Sequence, residues 1–126
     1  MISGARLVAF LACTDLDRSA VFYTGPLGLT LLERSPFAVV LEGGGTVLRV
    51  TRVETVTAAP YTVLGWDVDD LDTSVTELRA RGVEFLRYAG MDQDRFDAWQ
   101  APSGTRVAWF ADPDGNTLSI QQHPAA

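Results

Sequence analysis

A chain of 126 residues, 47% of them hydrophobic, is long enough to enclose one real core and too short for two independent domains, so residues 1–126 are read as one unit. Its 10 Lys and Arg against 16 Asp and Glu, a net charge of −6, argue against a phosphate-binding surface and so against nucleic acid as a partner. No apolar run approaches the ~20 residues of a membrane span, and MISGARLVAFLACTDLD runs into Asp residues rather than a small-residue cleavage site. A cytoplasmic location and no membrane partner are expected.

In chain order, the first element is the apolar run RLVAFLAC, residues 6–13, which reads as a strand. It ends on the single cysteine, Cys13; with no second thiol and no nearby His or Lys to activate it, Cys13 reads as a buried structural residue. TDLDRSA (14–20) places an acidic helix start at Asp15, and that helix is expected to end near Gly28. GLTLLER (28–34) reads as a strand, and FAVVLEGGGTVLRV (37–50) as a hairpin. Its EGGGT centre is a turn and not a phosphate loop, because it lacks the Lys and the following helix.

VETVTAAP (53–60) is the one plausible linker. Beyond it, YTVLGWDV (61–68) reads as a strand and DDLDTSV (69–75) opens a second helix at Asp70. That helix carries Leu71, Val75 and Leu78 on one face and is expected to stop at Gly82, where a left-handed residue is needed. GVEFLRY (82–88) reads as a strand, and VAWFADPDGNTLSI (107–120) as a hairpin turning at Asp112–Asn116. In its second strand Thr117, Ser119 and Gln121 alternate with Leu118 and Ile120, giving one polar and one apolar face.

These elements repeat. Asp-Leu-Asp-x-Ser recurs with Asp15 and Asp70 offset by 55, GLTLLER and GVEFLRY match at 54, and the two hairpins align at 70, with Gly45 on Gly115. The jump from 54 to 70 leaves about 16 extra residues in the second half, between Tyr88 and Val107. A polar, aromatic-containing insertion of this kind reads as a loop over a site. Each half is read as strand, helix, three strands.

DLDRSAVFYTGPLGL, VDDLDTSVTELRARGVEF and FADPDGNTLSIQQ resemble the vicinal oxygen chelate superfamily, which includes glyoxalase I, extradiol dioxygenases and bleomycin-resistance proteins. The resemblance spans both halves. It implies an α+β fold of two tandem βαβββ modules, 5–53 and 61–122, whose curved sheets form a cup that is commonly completed across a homodimer. It also implies four metal-ligand positions, on the first and last strand of each module. The first-strand positions, seven residues before Asp15 and Asp70, are usually His and here are Val8 and Val63. The last-strand positions, four past Gly45 and Gly115, are usually Glu, His or Gln and here are Arg49 and Ser119. Two valines supply no donor, a serine hydroxyl is a poor one, and an arginine repels a cation, so no metal or other cofactor is expected. The single histidine, His123, reads as a solvated tail residue.

Strand alternation puts Phe10 and Ala12 beside Val8, Gly65 and Asp67 beside Val63, Val47 and Thr51 beside Arg49, and Thr117 and Gln121 beside Ser119, all toward the cup. Trp109 joins them if it pairs with Ser119, or else belongs to the core, and Trp99 in the insertion covers the opening or anchors its loop; Trp66 reads as core. Arg49 is either a solvated strand residue or a fixed cation for a ligand oxygen. Asp67 either pairs with it or serves as an acid or base. The ligand-binding set is therefore Val8, Phe10, Arg49, Val63, Asp67, Trp99, Trp109 and Ser119. The expected function is metal-independent binding of a small molecule, of the bleomycin-resistance type, sequestering a planar or aromatic metabolite or antibiotic. The rival readings are a metal-free enzyme, a lyase, isomerase or related, acting on a natural-product-like substrate, and a structural or regulatory dimer.

Overall fold

Each half of the repeat builds one four-stranded mixed sheet with one helix, an α+β arrangement, in the computed structural model, which describes residues 1–125. The chain divides into two compact units, Met1–Thr57 and Ala58–Ala126, at a boundary inside the 53–60 run. In the first unit a short 3-10 turn, Ile2–Gly4, precedes β1 (Val8–Cys13), α1 (Leu16–Thr24), β2 (Thr30–Arg34), β3 (Ala38–Gly43) and β4 (Thr46–Arg52). The sheet order is β1-β4-β3-β2, with β1 parallel to β4 and the other pairs antiparallel. The second unit repeats this with β5 (Leu64–Asp67), α2 (Leu71–Ala80), β6 (Trp99–Gln100), β7 (Arg106–Ala111) and β8 (Thr117–Gln122), in the order β5-β8-β7-β6.

Both helices start where an aspartate can cap them. Asp15 Oδ1 accepts from the Arg18 N–H at 3.1 Å, and Asp70 Oδ1 from the Thr73 N–H at 3.2 Å, each satisfying a donor that the first turn leaves without a helical partner. α2 closes as expected. Gly82 sits at φ +92°, its N–H reaching Arg79 O at 3.0 Å while the Val83 N–H reaches Leu78 O at 3.0 Å, the paired bonds of a Schellman cap. α1 ends at Thr24, directly before the GPLG run and four residues short of Gly28. Pro26 lacks a donor and disfavours helical geometry at the residue before it, and the Leu29 N–H ties the exit back to Tyr23 O at 2.8 Å.

The core of each unit lies between helix and sheet. In the first, Leu11, Cys13, Val39, Leu41, Leu48 and Val50 come from alternate strand positions and Tyr23 from α1, all buried. In the second, Ala108, Phe110, Leu118 and Ile120 of the sheet and Leu71 and Val75 of α2 are likewise buried. Phe110 is its centre, with Trp66 stacked at 6.3 Å and Phe85 edge-on at 5.5 Å between ring centroids.

The predicted strand 82–88 is the clearest departure. Among the described residues it contributes only a bridge between Phe85 and Phe110 and the Leu86 N–H bond to Trp109 O at 2.7 Å. The edge of β7 is divided. Residues 85–86 take its Trp109–Phe110 end, and Trp99–Gln100 take its Arg106–Val107 end as β6. Trp99 therefore stands in an edge strand and not in a loop across an opening.

Candidate functional site

The face of the second sheet turned away from α2 carries Gly65 and Asp67 from β5, Thr117, Ser119 and Gln121 from β8, and Val107 and Trp109 from β7. The register places Trp109 opposite Ser119 and Gly65 opposite Ser119 on the other side, so these side chains share one face. Trp109 is anchored there by its indole N–H, which donates to Thr62 Oγ1 at 3.0 Å. Tyr88 meets it edge-on at 5.6 Å and Trp99 lies tilted against it at 6.3 Å. Pro60, Tyr61, Thr62, Tyr88, Met91, Trp109 and Thr117 line an open surface pocket of about 400 Å³. Its lining has three aromatic rings, a thioether and hydroxyls, and no charged side chain among the described residues.

The expected pairing of Trp109 with Ser119 is present, and Trp109 lines this pocket. Sequence reasoning missed Tyr61 and Thr62, read as the start of a strand that begins only at Leu64, and Met91, a loop residue with no periodicity to mark it. Tyr88 borders the insertion and Met91 lies within it.

A polar relay runs beside the pocket on the same face. Ser119 Oγ donates to Gln121 Oε1 at 2.9 Å, Gln121 Nε2 donates to Asp67 Oδ1 at 2.9 Å, and His123 Nε2 lies 3.0 Å from the same oxygen. His123 Nδ1 is 3.2 Å from Thr105 Oγ1. The histidine is exposed but engaged at both ring nitrogens, which corrects its reading as a plain tail residue. Asp67 is likewise occupied within its own unit. The hydrogen bond from Gln121, then that from His123, holds its carboxyl below the usual carboxylate value.

The insertion is a tightly bonded loop. Asp94 Oδ1 accepts from the N–H groups of Phe96 and Ala98 at 2.9 and 3.1 Å, and Asp97, at φ +58°, pairs with Arg79 at 2.6 Å and Arg87 at 2.7 Å. Arg106 on β7 bridges Asp72 of α2 and Asp94, each at 2.8 Å. Burial pushes the Asp94 carboxyl up, but the Ala98 and Phe96 N–H groups and Arg106 outweigh it and hold the group below its usual value. A lowered carboxylate stabilises the folded state above its unfolded pKa and loses that contribution as pH falls through the folded one. The wild type is therefore expected to lose its stability advantage over Asp94→Asn as pH drops below about 4. Denaturation midpoints from pH 7 to 3 check this, and parallel curves for the two proteins would count against it.

On the first unit, Val8 and Phe10 are exposed on the face opposite α1, at 41% and 66%. Phe10 pairs with Arg49, which is half-buried and carries no ion pair or side-chain hydrogen bond among the described residues. The four positions at which the superfamily resemblance implies metal ligands thus hold two hydrocarbon side chains, a guanidinium, and a Ser119 hydroxyl already bonded to Gln121. Val63 precedes β5, 37% exposed, with its N–H on Thr117 O at 3.0 Å. No cluster of three or more His, Cys, Asp or Glu side chains is poised for an ion among the described residues. These residues do not fit a divalent metal.

The chain is 28% identical to a probable lactoylglutathione lyase of Vibrio parahaemolyticus, over an alignment that covers 100% of this chain and 96% of the relative. Among solved structures it resembles TioX from Micromonospora sp. ML1, at 26% identity and TM-score 0.72, covering 96% of this chain and 100% of that one. It also resembles TnmS3, an antibiotic binding protein from Streptomyces sp. CB03234, at 23% identity and TM-score 0.74, covering 98% and 99%. The family model of the Glyoxalase/Bleomycin resistance protein/Dioxygenase superfamily matches residues 6–120, and with the paired mixed sheets this shows that the chain belongs to that superfamily.

Proposed function

We propose that this protein binds a planar, aromatic small molecule without a metal and holds it unchanged. The observation that carries the reading is the cavity of about 400 Å³ walled by Tyr61, Tyr88 and Trp109, which has the size and lining of a small-molecule site. Rigid aromatic walls favour a flat ligand, and uncharged ones favour a ring system that brings no buried charge with it. The description of TnmS3 accords with this, but at 23% identity that likeness carries the fold alone and the pocket carries the argument.

The enzymatic alternative has a specific candidate in Asp67 and His123. A carboxylate held below its usual value is a weak base at neutral pH, and both nitrogens of His123 are engaged. Binding is the better account.

The test uses 1-aminoanthracene, an uncharged planar fluorophore, with chelator-treated protein. Saturable enhancement of its emission and recovery of the probe at unchanged mass support the reading. No saturable binding, a requirement for added divalent ion, or a changed mass would overturn it.

Arg49 is proposed separately as an oxygen-gripping cation on the first unit. Losing one charge-assisted hydrogen bond costs about tenfold in affinity or more, so Arg49→Ala is expected to weaken anthracene-1-carboxylate by about that factor. Equal affinity would make Arg49 a solvated strand residue. The protein is also proposed to work as a homodimer, in keeping with the exposed Val8 and Phe10. Light scattering that gives only the 13.7 kDa chain at micromolar concentration would contradict this.

A further inference from the structure

The segment joining Leu86 to Trp99 carries two walls of the pocket, Tyr88 and Met91, yet has almost no strand ladder to hold it. Gln93 takes that place. The residue is only 8% exposed, and both amide protons and the amide oxygen are engaged. Nε2 donates to Leu86 O and to Asp97 O, both at 2.8 Å, and Oε1 accepts from the Tyr88 N–H at 2.7 Å. The partners dictate the amide's orientation, since two carbonyls only accept and an N–H only donates.

One side chain thus stitches the start of the loop to its return. Outside it, the Arg87 guanidinium donates to Asp94 O at 2.7 Å and pairs with Asp97 at 2.7 Å, so the frame around Gln93 is itself fixed. Gln93 is absent from the cavity wall. The residue it holds most directly, Tyr88, turns its ring edge-on to Trp109 at 5.6 Å.

We propose that Gln93 is a positioning residue of the ligand pocket. Through its three bonds it fixes Tyr88, and with it Met91, against Trp109, and so sets affinity without touching the ligand. This rests on reading the cavity as the ligand site. The chemistry is particular to an amide of this length. Glutamate would set a carboxylate against two carbonyl oxygens, and a hydrocarbon would leave three backbone groups unpaired in a buried place.

The experiment measures 1-aminoanthracene affinity, well below the melting temperature, for wild type, Gln93→Glu, the isosteric neutral Gln93→Met, and Val75→Ala. The last is a core variant in α2 that lowers stability away from the loop. Gln93→Glu and Gln93→Met are each expected to weaken binding at least tenfold, while Val75→Ala keeps wild-type affinity at a comparable loss of melting temperature. In a Tyr88→Ala/Met91→Ala background, adding Gln93→Met is expected to change affinity less than twofold, because the walls it positions are gone. If the Gln93 variants that fold bind like wild type, or if Gln93→Met costs as much in that background as in the wild type, the proposal is overturned. If the wild type binds no probe, the pocket reading falls instead.

Discussion

Phe110→Ala is expected to cost about 3–5 kcal/mol of folding stability, the largest loss from any single truncation in the second unit. Phe110 is fully buried, pairs with Leu118 across β7 and β8, and receives Trp66 and Phe85 on its ring. Alanine would remove a ring that β7, β8, β5 and the 85–86 segment share, leaving a void that neighbours on a hydrogen-bonded sheet cannot collapse to fill. Against a total stability of about 5–15 kcal/mol for a domain, such a loss brings the unit close to unfolding at physiological temperature. Denaturant titration checks it, with the midpoint shifting at unchanged slope. A loss under about 1 kcal/mol would mean that the core has been placed wrongly.

The second large effect concerns binding. Trp109→Ala is expected to weaken 1-aminoanthracene by about a hundredfold while leaving the far-ultraviolet spectrum unchanged. The indole supplies a stacking surface worth about 1–3 kcal/mol by alanine substitution, and its removal also frees Tyr88 and Trp99, which rest on it. Trp109→Phe keeps a ring but loses the bond to Thr62 and should fall between, at about tenfold. Fluorescence titration of the three proteins separates these outcomes. An unchanged affinity in Trp109→Ala would remove the pocket from the account.

Much of this architecture was legible because it rests on local rules. Asp15 and Asp70 each precede a leucine and cap a helix, and Gly82 stands where a left-handed residue must. The repeat offsets of 55 and 70 carried register as well as composition. They match Phe10 with Gly65 and Arg49 with Ser119, and in the sheets Phe10 pairs with Arg49 and Gly65 with Ser119.

What was not legible depends on competition between distant segments. GVEFLRY has the composition of a strand, but two segments share one edge of β7, and nothing in either states which takes which end. His123 looked solvated because its partners, Asp67 and Thr105, are remote in sequence. Tyr61 and Met91 became walls through turns whose geometry their neighbours set. Gln93 gave no signal at all, since a lone glutamine in a polar insertion is read as surface until the three backbone groups around it are known.

The central claim, that an aromatic-walled pocket in the second unit takes a flat ligand without metal, is tested most directly by following the Trp109 indole N–H resonance in chelator-treated protein as 1-aminoanthracene is added. The account predicts a saturable shift of that resonance and of the Thr62 and Tyr88 amides, with the Trp66 indole little changed. A Trp109 indole that stays still while the probe binds elsewhere, or that moves only after a divalent ion is supplied, would contradict it.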